Sequence, residues 1–538
     1  MRTIWRSLLW REWHEHKWKL AALAAIMFSL QLVVIVEDPG MATPQIFVWV
    51  LCGAPGAFFL GLHAASGERS GRTLEFVRAF PANMRRFAIA KLAMGAFASV
   101  APVLAALLLA IVWLAIWRAT GGAVAYREAM FTEQAAPLTD LLLSGIAAAA
   151  FSLSVFLWTA AAGMNQPTEL RAAAAGIVMF IGWATLTSVT LVFRAWERHP
   201  TIGFHPIAWE YALAAGPAGS LAIIDFDSVP KWQVILLQFV ILSAVACWAA
   251  ARFGRLSPAD NRSPLAAPTH SASRPLAAPR GRPWRAMAWK QWREAAPLGL
   301  AGAGLIVGMT SLCATLGWLA SGEIYWSASN ELPHFLNCAT VIVGTLVALV
   351  VGTASFAADV QPGLWTFWRS RPIPPALWFW PKYFSGAAAV LAFLDLPLAA
   401  LYLVAAVGNW SIAFPEGILA CAPLLHLLAY SFAVCAICWV RRAVYAGILA
   451  FGFVAGVLLA PEGWASLEKL NADYVIGELN SAPIVDFADF AATYLPFASV
   501  MLGLTLAAML LAWRGAKHEQ GLSDWEGSVI LSPLRKAL

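Results

Sequence analysis

Residues Trp5–Glu15 read W-R-S-L-L-W-R-E-W-H-E, and residues Trp284–Glu294 read W-R-A-M-A-W-K-Q-W-R-E. Trp5, Arg6, Trp10, Trp13 and Glu15 return at one constant offset as Trp284, Arg285, Trp289, Trp292 and Glu294, with Lys290 standing for Arg11. A duplication at this scale points to two equivalent halves, each opened by one copy. Indole rings favour the headgroup boundary and arginine reaches phosphates, so each copy is expected to be an elbow helix on the inner leaflet. Trp5, Leu9 and Trp13 share one helical face, as do Trp284, Ala288 and Trp292. Glu12 and Glu15 fall near that apolar arc and interrupt it.

Each copy runs directly into apolar sequence. The chain has 538 residues, 60% hydrophobic and only 12% charged, which excludes a soluble domain. A helix needs about 20 apolar residues to cross a hydrocarbon core of roughly 30 Å. Twelve stretches qualify: 19–36, 45–65, 91–117, 139–164, 172–193, 231–253, 298–320, 334–356, 382–407, 417–438, 443–460 and 493–513. Unbroken runs such as Leu104–Ile116 lack the alternation of barrel strands, so the expected fold is all-α. It is a polytopic bundle of about twelve helices in two parallel six-helix repeats.

Charge sets the orientation. With the N-terminus in the cytoplasm, about 30 of the 36 Lys and Arg fall in cytoplasmic segments, while Glu37, Asp38, Asp225, Asp227 and Glu462 fall outside. The net charge of +6 therefore reports topology and anionic lipid contact, not nucleic acid. Both termini are expected to be cytoplasmic. The apolar run near the N-terminus has no small-residue cleavage site, which excludes a cleaved signal peptide. All seven cysteines lie in predicted spans, so no disulfide framework is implied. The Cys435-x-x-Cys438 spacing, placed in lipid, reads as packing and not as redox or metal chemistry.

Residues 254–283 carry six prolines and little that could be buried, and read as an extended cytoplasmic linker. They separate a first half, 1–253, from a second, 284–538. Six spans per half is an even number, so the halves are parallel and their pseudo-two-fold axis runs along the membrane normal. Loops 194–230 and 461–492 sit before the last span of each half and are semi-apolar. Helices dipping into the outer leaflet and ordinary structured loops fit them about equally.

Two connectors carry the functional signal. Between spans two and three, Glu68 is followed by Gly71, Pro81 and Lys91; between spans eight and nine, Asp359 is followed by Gly363, Pro372 and Lys382. Arg69, Arg72, Arg78, Arg85 and Arg86 crowd the first connector, Arg369 and Arg371 the second. Gly71 frees the backbone, Thr73–Phe80 can form about two turns, and Pro81 ends them. A compact cationic helix between two spans can hold lipid headgroups or dock a cytoplasmic partner. Breakers at repeated positions favour docking, since lipid anchoring needs none.

Here the chain resembles the permease subunits of ABC-2-type transporters. Their connector between the second and third spans carries Glu, then Gly-Thr-Leu-Glu, a Pro, basic residues and a Lys. Glu68, Gly71, Thr73, Leu74, Glu75, Pro81, Arg85, Arg86 and Lys91 match it. Arg72 intervenes before Thr73, and the second copy departs further, with Asp359 for Glu, an intruding Trp365 and a Pro374-Pro375 pair. The resemblance implies an exporter in the plasma (bacterial inner) membrane, energised by a separate ATP-binding cassette ATPase, two copies of which dock under the connectors. The chain has no phosphate-binding loop among its nine lysines, so ATP and Mg²⁺ belong on that partner, and the chain itself holds no cofactor, metal or catalytic residues.

Two rivals stay open. Glu68–Arg72, E-R-S-G-R, is similar to the D-R-x-G-R loop of major facilitator transporters, which enter span three directly after it; here Lys91 lies about twenty residues beyond Gly71. A lipid-modifying enzyme would need a triad, metal motif or carboxylate pair, and none stands out. Asp395, beside Pro397, and His426 lie at membrane depth, where ionisable groups are functional candidates as well as possible packing residues.

Overall fold

A computed structural model describes residues 2–37, 43–70, 84–120, 138–164, 166, 171–180, 182–183, 216–217, 219–221, 231–254, 283–321, 340–360, 374–407, 416–459, 470–481 and 487–517. Every regular element among them is helical, and nine helices are long and apolar enough to cross a membrane. The chain is a multi-pass helical membrane protein. Its packing resolves into two compact units, Met1–Gly254 with Ala455–Glu468, and Arg255–Val454 with Lys469–Leu538.

The first unit holds α1 (Arg2–Glu37), α2 (Thr43–Ser70), α3 (Met84–Ala119), α4 (Leu138–Gly163), the short α5 (Arg171–Phe180) and α6 (Lys231–Arg252). Next come α7 (Pro283–Ser321), a π turn (Thr340–Gly344) leading into α8 (Thr345–Val360), and α9 (Pro375–Val390). A second π turn (Leu391–Asp395) joins α9 to α10 (Leu396–Val407). The last elements are α11 (Glu416–Val440), α12 (Ala443–Leu459), the short α13 (Ala472–Ser481) and α14 (Phe487–Lys517).

The Trp-rich stretches differ from the expected elbows. Each is the N-terminal part of one continuous helix with the apolar run beyond it. Nothing between Arg2 and Glu37 is Gly or Pro, so no residue frees or interrupts the backbone of α1. Trp10 and Trp289 are among the most exposed aromatics of their helices, and Trp13 and Trp284 are exposed as well. The opposite stripe of α1, Leu8, Glu12, His16, Lys19 and Leu23, is the buried one. Trp10, Trp13, Trp284 and Trp289 face outward, whereas Trp5 packs on the core of the first unit and Trp292 on Phe393, and in α1 it is Glu12, His16 and Lys19 that face the bundle.

Within the first unit α2 packs chiefly on α4 and α1 on α3; within the second, α8 packs on α11 and α7 on α9. Lipid supplies no hydrophobic drive between helices, so close approach at small residues has to hold them. Gly61 of α2 lies against the carbonyl of Phe156, which a Cβ would meet at 2.8 Å, while Gly95 of α3 receives the Phe156 ring. In the second unit Gly352 of α8 lies against the carbonyl of Tyr430, at 2.7 Å, and Gly386 of α9 receives the Tyr430 ring. One aromatic residue thus pins three helices in each unit. Tyr430 adds a hydrogen bond, its hydroxyl donating to the Tyr383 carbonyl at 3.0 Å.

Candidate functional site

At the end of α2, Glu68 is buried, and Lys91 of α3 is 1% exposed. Lys91 Nζ donates to Glu68 Oε1 at 2.9 Å, and Arg11 of α1 reaches the same oxygen at 3.3 Å. Both cations lie over the ring of Phe87, at 5.9 and 5.2 Å from its centroid. This pair closes the base of the connector between α2 and α3.

α1 brings further charge to the same place. Glu15 Oε1 meets His63 Nε2 of α2 and lies 3.7 Å from Lys19 Nζ; Glu12 Oε2 lies 3.8 Å from His16 Nε2. The rings of His16 and His63 are edge-on at 6.0 Å. Carboxylate oxygens of Glu12, Glu15 and Glu68 lie within 4.8 Å of one another, the spacing of a hard-cation site. Yet Lys19, Lys91 and Arg11 stand among these three acids and match their charge, so a metal ion would have to displace an ammonium group. The cluster reads as an internal ion network.

The second unit closes its connector with the same kind of bond. Lys382 Nζ of α9 donates to Asp359 Oδ2 of α8, both side chains buried, across the same 23-residue spacing as Glu68 and Lys91. Lys382 Nζ lies 5.3 Å from the centroid of Phe356. The surroundings are aromatic here: Phe356, Trp378, Phe379 and Tyr383 pack in contact, and Trp513 of α14 lies 5.3 Å from Phe379. Where α1 places Glu12, the matching turn of α7 places Gln291, which donates to Ser355 Oγ at 2.5 Å.

Gly71, Arg72, Thr73, Leu74, Glu75 and Pro81, with Gly363, Arg369, Arg371 and Pro372, lie outside the described residues. Arg85 is exposed and Arg86 half-buried at the start of α3. Asp395 and His426 meet inside the second unit: His426 Nδ1 lies 2.8 Å from Asp395 Oδ1, and Nε2 lies 3.1 Å from the Thr340 carbonyl. In the sequence Arg11, Glu12 and Glu15 figure only as members of the repeated stretch, and His16, Lys19 and His63 do not stand out as site residues. Their one signal was an i, i+4 alternation, Glu12–His16 and Glu15–Lys19, continuing the line of Leu8 and Leu23.

Compared with known proteins, the chain matches no family model, no curated protein and no solved structure.

Proposed function

We propose that the chain is the membrane-spanning permease of an ABC-2-type transporter, an exporter with twelve spans in two parallel halves, driven by ATP hydrolysis on a separate subunit. In this reading both termini and the linker 254–283 are cytoplasmic, and the two connectors, residues 71–83 and 361–373, seat two copies of the ATP-binding partner. The carrying observation is the recurrence of one buried acid–lysine bond, Glu68–Lys91 and Asp359–Lys382, at the base of each connector. A bond that ties the two feet of a connector makes it move with its helix pair. Closure of a motor beneath it then becomes rigid-body displacement of the helices, not local bending.

The two-half arrangement draws support from the glycine contacts. The 23-residue bond, the carbonyl contact and the ring contact fall on α2, α3 and α4 in one unit and on α8, α9 and α11 in the other. The test is reconstitution. Purified chain should recover an ATPase, and vesicles should show ATP-dependent transport; Glu68→Ala or Arg72→Glu should leave insertion intact and separate hydrolysis from transport. Flux driven solely by an ion gradient, with no ATPase recovered, overturns the reading.

A further inference from the structure

We propose that Asp395 and His426 form a proton-binding site inside the second unit. The pair is deeply buried, His426 at 0% and Asp395 at 8% exposure. Each ring nitrogen of His426 faces an oxygen: one the carboxylate of Asp395, the other the carbonyl of Thr340. A carbonyl only accepts, so the nitrogen facing Thr340 carries a hydrogen. The nitrogen facing Asp395 then shares one more proton with the carboxyl group. That proton sits either on the ring, giving imidazolium and carboxylate, or on the acid, giving carboxylic acid and neutral imidazole. Both forms are net neutral. Rotating the ring by half a turn leaves the count unchanged, so it does not depend on which nitrogen is which.

Release of H⁺ takes the pair from net charge zero to minus one and leaves one ring hydrogen for two facing oxygens, so either the carboxylate or the Thr340 carbonyl meets an imidazole lone pair. That arrangement is repulsive, and in a buried place it has no water to relieve it. Hydrogens for both contacts of the ring are present together only in the proton-loaded form. The pair also joins two irregular backbone segments. Asp395 ends the π turn Leu391–Asp395 and Thr340 begins the π turn Thr340–Gly344, and single π turns in helices recur at functional sites. Gly344 makes the room: a Cβ there would run into His426 Nε2. Pro397 cannot donate to the carbonyl of Phe393, which loosens the Leu391–Asp395 turn further.

Among the described residues no other carboxylate or base faces the pair. α7 carries Arg285, Lys290, Arg293 and Glu294 near its start, and meets the π turn through Gly299 on Phe393. Asp359 of α8 stands about 22 Å along the helix axis from Gly344 and is bonded to Lys382 of α9. The remaining titratable neighbours are hydroxyls and thiols: Tyr383 of α9, bonded to Ser431; Tyr402 of α10; Cys421 and Tyr430 of α11; and Tyr494 of α14, which donates to the Ala420 carbonyl. Asp395 Oδ2 accepts no hydrogen bond among the described residues. At the place in the first unit that matches Gly344 and His426, the described residues hold no imidazole. There Gly53 faces Ser152.

This inference rests on the second unit alone and is independent of the ATPase reading. The test is amide hydrogen exchange on the full chain in lipid nanodiscs, compared between acidic and alkaline buffer after correction for the intrinsic base-catalysed rate. Losing one of the two hydrogen bonds of His426 should lower protection of residues 340–344 and 391–395 about tenfold or more, with residues around Gly53 and Ser152 unaffected. Asp395→Asn supplies an amide N–H to the imidazole and has no proton to lose, so it should keep the segments protected at both pH values. pH-independent protection in the unaltered chain, or unchanged pH dependence in Asp395→Asn, overturns the site. Should the variant fail to fold, the measurement on the unaltered chain decides alone.

Discussion

A buried ion whose partner is removed keeps its charge where water does not reach it, at a cost of about 3–5 kcal/mol. Lys382→Met should therefore destabilise the purified chain by about that amount. Combining it with Asp359→Leu should recover most of the loss, since among the described residues no other charge pairs with either side chain. The first unit should behave differently. Glu68 is shared by Lys91 and Arg11, beside Glu12 and Glu15, so Glu68→Leu with Lys91→Met takes from Arg11 its acid and from Glu12 and Glu15 a nearby cation, and should stay destabilised. Chemical unfolding in detergent, read as a double-mutant cycle for each pair, measures both. The four residues of these bonds were legible in the sequence, because an acid and a lysine at matched positions interrupt otherwise apolar runs. Glu12, His16 and Lys19 were not. Charges at i, i+4 normally mark a solvated face, and only packing against α2 and α3, distant in the chain, buries them.

Where α1 crosses α2, Leu23 fills the space above Gly56; where α7 crosses α8, Gly302 receives Val347. The bulk has changed sides. Gly56→Val should clash with Leu23 and cost about 1–3 kcal/mol, and Leu23→Gly should open a cavity costing about 2–5 kcal/mol. The double variant, which copies the second crossing, should cost less than the sum, and a thermal unfolding cycle reads that coupling. The existence and approximate limits of these helices were legible, since twenty apolar residues admit few alternatives. Their partners were not. A helix apolar all round has no preferred inward face, so the meeting of Gly61 with Phe156, or of Gly352 with Tyr430, is invisible until the backbones lie side by side. The elbows were misjudged for a related reason: indole anchors mark depth in a bilayer, not the direction of the axis.

At the scale of the molecule, the proposed six spans in each half would fix which segments share a side of the membrane. Single cysteines introduced at Ser271, in the linker, and at Ser411, between α10 and α11, should label with impermeant reagent from opposite faces, Ser271→Cys from the cytoplasm. Labelling of both from one face overturns the twelve-span count. The continuous first helix has a mechanical corollary. With 36 residues α1 is about 54 Å long, while the hydrocarbon slab is roughly 30 Å deep. Lacking glycine and proline, it is an oar whose blade stays clear of the oil, so a small push on the blade swings the buried shaft. α7 carries Pro297 partway along, a soft joint that spends part of any such push as flexure. Equal strokes delivered to the two oars would thus arrive in the membrane as unequal ones.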